Sequence, residues 1–89
     1  MAGLVRRAEE RIVLIDNYID DTVLTLLDKR KEKVEATVYT SRLKKETQLD
    51  IMKHNAQYRP VKVNEFRKAH DRFMIIDEKV YLIGASIKD

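Results

Sequence analysis

The sequence predicts one small α/β domain over residues 1–89, a mixed sheet of order β-α-β-α-β-β-β flanked by helices. Three observations carry that prediction. A continuous apolar run bounded by charges, Arg11-Ile12-Val13-Leu14-Ile15-Asp16, has the composition of a sheet strand buried on both faces. Apolar residues at helical spacing follow it, and a β-branched and aromatic run follows them, so a parallel strand-helix-strand unit opens the fold. Two further apolar runs near the end, Arg72-Phe73-Met74-Ile75-Ile76 and Val80-Tyr81-Leu82-Ile83, are separated only by Asp77-Glu78-Lys79, which is the pattern of a hairpin.

Residues 4–10 are polar enough for a surface helix, and residues 11–16 form the first strand. Asp20 precedes Val23, Leu26, Leu27 and Arg30. Acids stand at the start of that segment and Lys29, Arg30 and Lys31 at its end, as the helix dipole favours, so a helix of about three turns is expected. Residues 34–40, with Val34, Thr37, Val38, Tyr39 and Thr40, make the second strand. Residues 47–58 return to helical spacing, with Leu49, Met52 and Ala56 on one side. Arg59-Pro60 ends that helix, because the residue before a proline is pushed out of the helical region. Val61, Val63 and Glu65 then alternate with Lys62, Asn64 and Phe66 in a less buried third strand.

Composition excludes several classes. There are 18 Lys+Arg against 15 Asp+Glu, a formal charge of +3, and no cysteine, which rules out a disulfide scaffold and a thiolate metal site. No stretch approaches the roughly 20 apolar residues of a membrane span, and residues 1–7 lack the apolar run of a signal peptide. The expectation is a cytoplasmic protein that does not engage a membrane. With two glycines and one proline there is no linker, low-complexity tract or internal repeat. Charge is uneven: residues 1–28 carry three basic and six acidic side chains, residues 29–46 seven against three, and residues 59–72 five against two. Two basic segments fit a polyanion such as nucleic acid, and equally a solvated surface.

The chemistry-bearing residues cluster near the end. His70 and Arg72 lie two apart at the mouth of an apolar strand, so both leave one face of the sheet while Asp71 leaves the other. Imidazole can act as nucleophile or general acid near neutral pH, and guanidinium holds two phosphate oxygens, so the pair suits phosphoester chemistry. Asp77 falls on the other face or in the turn and is expected to form the turn. A three-residue turn at 77–79 would set Ser86 beside His70 and Gly84 beside Arg72; a two-residue turn would shift the register and send Ser86 to the far face.

The spacing of His70, Arg72, Asp77 and Gly84 resembles the signature of the phospholipase D superfamily, His-x-Lys, four residues, Asp, six residues, Gly, then Ser and Asn positions. Arg72 stands where that family has Lys. Either Ala85 or Ser86 can be matched to the family's Ser position; Ser86 is preferred, which leaves Lys88 where Asn is expected. The preceding strand-helix order is similar to one half of that fold, and the His-Asp-Arg and Gly-Ala-Ser variants are closest to short single-motif domains attached to phage-type and mobile-element DNA-associated proteins.

The resemblance implies catalytic roles for His70, Arg72 and Ser86, phosphate binding by Arg72 and Lys88, and structural roles for Asp77 and Gly84. His70 would attack the phosphodiester phosphorus, and a second His70 would protonate the leaving oxygen and then activate water. One chain supplies one such histidine, so a homodimer with the two rings facing across a two-fold axis is implied. The nucleophile is then a side chain, and neither metal nor cofactor is implied. Nucleic acid is favoured over lipid as the phosphodiester, because residues 29–45 and 59–72 are basic and no interfacial apolar helix is present. The rival implication is a module that keeps the phosphate-sized pocket without turnover; a plain dimerisation domain is a third. In that family residues after the Gly-Ser region contribute to the site, which is compatible with this unit being part of a longer chain.

Elsewhere, His54 sits beside Lys53 and Asn55 and is expected to be solvated. Glu65 is expected on the surface, and Tyr18, Tyr39, Tyr58 and Tyr81 are expected to pack rather than to stack on bases.

Overall fold

A computed structural model describes residues 2–41, 43–66 and 72–83. The elements are α1 (Ala2–Arg7), β1 (Arg11–Ile15), α2 (Asp21–Leu27), β2 (Glu35–Thr40), α3 (Lys45–Gln57), β3 (Lys62–Glu65), β4 (Arg72–Ile76) and β5 (Lys79–Ile83). They form a mixed five-stranded sheet in the order β3-β2-β1-β4-β5. β1, β2 and β3 run parallel, as two strand-helix-strand crossovers require, while β4 is antiparallel to both β1 and β5.

Ile12, Leu14, Ala36, Val38, Thr40, Met74 and Ile76 occupy one face of the sheet and are buried. Val5, Val23, Leu24, Leu26 and Leu27 of the helices join them in a single core. At the rate of about 25 cal/mol per Å² of apolar surface, this one interface supplies most of the hydrophobic stabilisation. The alternate residues Val13, Ile15, Phe73 and Ile75 are only half-buried, and Val80 and Leu82 are 62% and 66% exposed. The first strand is therefore not buried on both faces. The helices cover one side of the sheet, because both crossovers advance from β1 towards β3 with the same hand.

All three helices differ from their sequence reading: α1 spans Ala2–Arg7 rather than residues 4–10 and buries Ala2 and Val5. α2 ends at Leu27, a turn earlier than expected, because Arg30 folds back beneath it. Its guanidinium donates to the carbonyls of Val34 at 2.8 Å, Leu27 at 3.0 Å and Pro60 at 3.1 Å, joining the end of α2 to the approaches of β2 and β3. Burial, then the charge of Arg59, lowers the pKa of Arg30, while Asp28 opposes the shift. The start of α2 is as read: the Asp20 carboxylate accepts from the amides of Thr22 and Val23.

In α3, Leu49, Met52 and Ala56 face solvent, and the face turned to the molecule is Thr47, Ile51, His54 and Asn55. His54, expected to be solvated, is 9% exposed. Its Nε2 lies 2.6 Å from Asp28 Oδ1, its Nδ1 lies 2.9 Å from Asn55 Oδ1, and its ring stacks on Tyr58. The Asn55 amide is oriented by the Val61 backbone, accepting from its N–H and donating to its carbonyl. Asn55 thus turns an acceptor towards His54, and two acceptors flank the ring.

The β4–β5 hairpin closes through the two residues Asp77 and Glu78, with Lys79 already in β5. Arg72 consequently lies opposite Ile83, one place short of Gly84, which corrects the three-residue turn and its register. Asp77 adopts φ 56°, the positive φ that a short hairpin turn demands and that aspartate tolerates better than most residues.

Candidate phosphate-handling edge

The carboxyl ends of the three parallel strands and the start of β4 share one edge of the sheet. In open α/β sheets such an edge, where neighbouring connections diverge, is the usual location of a ligand crevice. Ile15 pairs with Phe73. One step further along the same register sets Asp16 opposite Arg72, and both side chains leave the helix-covered face.

Arg72 Nε lies 3.2 Å from Asp16 Oδ1, with the Asp16 side chain 4% and the Arg72 side chain 33% exposed. A buried carboxylate with no positive partner would be costly, so the pair fixes the guanidinium in place rather than leaving it to sample solvent. The same Oδ1 accepts the amide of Tyr18 at 3.2 Å. The Asp16 amide donates to the Tyr39 carbonyl at 3.0 Å, and the Asn17 carbonyl accepts the hydroxyls of Thr40 and Ser41, each at 3.0 Å. The loop after β1 is thereby tied to the end of β2. One oxygen organises both a cation and that loop.

Of the residues singled out in the sequence, Arg72 and Asp77 fall within the described residues; His70, Gly84, Ser86 and Lys88 lie outside them. The structure sends Arg72 and Asp77 to opposite ends of β4. The Asp77 carboxylate accepts the amide of Glu10 at 2.7 Å and those of Glu9 and Arg11, and so clamps the hairpin to the start of β1. The Glu10 amide above all lowers its pKa; partial burial opposes this, and the Glu9 and Arg11 amides and the Arg11 charge add to it. Glu65 is exposed, and its Oε2 accepts the Leu43 amide ahead of α3.

Asp16 is the site residue that the sequence reading missed. Its signal was present, a carboxylate closing an apolar strand, but its partner is 56 positions away and the antiparallel pairing of β1 with β4 is not a local property. A cleft of about 220 Å³ at the other edge of the sheet is bordered by Arg30, Lys33, Arg59 and Lys62, but also by Glu32 and Glu35. Its central guanidinium, that of Arg30, is already spent on three carbonyls.

No helix among the described residues is long and apolar enough to cross a membrane. Comparison with protein-family models, curated proteins and solved structures finds no match for this chain.

Proposed function

We propose that this domain is a phosphodiesterase of the phospholipase D type, acting on nucleic acid as a homodimer through a phosphohistidine. The observation that carries the reading is Arg72. Two residues after His70, it is held by a buried carboxylate at the sheet edge where a phosphate would be received. Its Nε is turned to Asp16, which leaves the two terminal nitrogens as the donors for phosphate oxygens.

The chemistry proceeds in two displacements. A ring nitrogen of His70 attacks phosphorus, a P–N bond forms, and the P–O bond to the leaving group breaks as that oxygen takes a proton from the partner subunit's His70. Water, giving its proton to the partner's His70, then attacks phosphorus and breaks the P–N bond, which regenerates His70. Arg72 meets the charge that builds on the non-bridging oxygens in both steps.

The test is hydrolysis of a chromogenic phosphodiester. Activity that survives chelation and falls by about 10³-fold or more in His70→Ala is the expected result, whereas activity abolished by the chelator overturns the histidine mechanism. A second reading has an observation of its own. Arg replaces the family's Lys, and its charge is already paired with Asp16, as suits a phosphate-binding module without turnover. In that case nucleic-acid affinity falls steeply with salt and is unchanged in His70→Ala.

A further inference from the structure

Tyr18 and Arg72 converge on one oxygen of Asp16, the first through its backbone amide and the second through its guanidinium. Tyr18 is 59% exposed and, among the described residues, its ring has no ring partner. Other exposed aromatics are engaged: Tyr58 stacks on His54, and Tyr39 meets Phe66 edge to face. The loop that carries Tyr18 is pinned by the Asn17 carbonyl on Thr40 and Ser41 and by the Asp16 amide on Tyr39.

We infer that Tyr18 is a base-stacking residue, and that the phosphodiester received at Arg72 belongs to a single-stranded nucleic acid. This deepens the proposed function and rests on it for the phosphate at Arg72. A nucleotide joins an anion to a flat π surface a short distance apart, and here the cation Arg72 and the backbone of the exposed Tyr18 meet on one carboxylate oxygen. Stacking requires an unpaired base, since both faces of a base within a duplex are covered by its neighbours. A lipid phosphodiester has no π face to offer the ring. Because the loop is ordered beforehand, little conformational freedom is lost when a base settles on it.

The experiment is fluorescence anisotropy with a labelled 12-nucleotide single strand, its duplex, and an abasic strand of equal length. Tyr18→Ala is expected to weaken single-strand binding by about 5- to 150-fold, with Tyr18→Phe restoring it. Duplex and abasic strands should bind wild type and Tyr18→Ala alike. Melting of Tyr18→Ala at the wild-type temperature excludes a folding effect. Unchanged single-strand affinity in Tyr18→Ala, an equal loss on the abasic strand, or no binding of single strands by wild type overturns the inference.

The two ideas fail separately. Loss of diester hydrolysis in His70→Ala with a neutral Tyr18→Ala removes the stacking role and leaves the phosphodiesterase. Weakened strand binding in Tyr18→Ala, with diester hydrolysis intact in His70→Ala, does the reverse.

Discussion

Asp16 and Arg72 form a pair in which one member is buried and the other only partly so, and this asymmetry sets what each substitution does. Removing Arg72 leaves a buried carboxylate with the Tyr18 amide; removing Asp16 leaves a guanidinium that can still reach water. Arg72→Ala should therefore cost more than Asp16→Ala, with both within about 1–3 kcal/mol once partial solvent screening is allowed for. Urea denaturation of the two single variants and the double variant checks this, and the double variant should lose less than the sum of the singles. Arg30 is different, because its role is to satisfy carbonyls rather than to bind a ligand. Arg30→Met removes the side-chain donor from the carbonyls of Val34 and Pro60, leaves that of Leu27 with only the residue-30 amide, and should destabilise by about 2–4 kcal/mol in the same assay.

Among the elements, the β4–β5 hairpin is held at its turn by a charge. The Asp77 carboxyl sits below the ordinary aspartate value because backbone amides, that of Glu10 foremost, stabilise its ionised form. The folded protein takes up that proton less readily than the unfolded chain. The contribution is thus complete above the ordinary aspartate pKa and is lost as pH falls through it towards the folded-state value. Thermal melts of wild type and Asp77→Asn should differ most above about pH 5 and converge towards about pH 3. A gap that widens on acidification contradicts the clamp.

The same element shows what is local and what is not. Alternating and continuous apolar runs located all five strands, and Asp20 marked the start of α2, because those signals lie within a few residues. The length of the turn was misread: Asp77 takes a positive φ that no glycine announces. The buried face of α3 was misread because Leu49, Met52 and Ala56 are the more apolar stripe. Packing instead chose the side on which His54 could reach Asp28, 26 positions earlier in the chain.

At the scale of the molecule the protein is a slab, 32 × 31 × 20 Å, whose thickness is that of one sheet and one helical layer. It carries a single His70 per chain, whereas the proposed chemistry uses two imidazoles, one bonded to phosphorus and one moving protons. One ring cannot fill both roles at once, so the proposed chemistry places activity in a pair of subunits. The quantitative consequence appears when wild type and His70→Ala are mixed, unfolded together and refolded. If a site needs an imidazole from each subunit, mixed dimers are dead, and specific activity follows the square of the wild-type fraction for random two-fold pairing. Equal mixing should then leave about a quarter of the wild-type activity. If each chain works alone, about half remains. Sedimentation of the same mixtures should show twice the 10.5 kDa chain mass throughout, since His70 contributes to chemistry and not to pairing in this reading. A linear loss of activity, or a protein that sediments as a monomer while still hydrolysing the diester, would remove the shared site and with it the need for a second histidine.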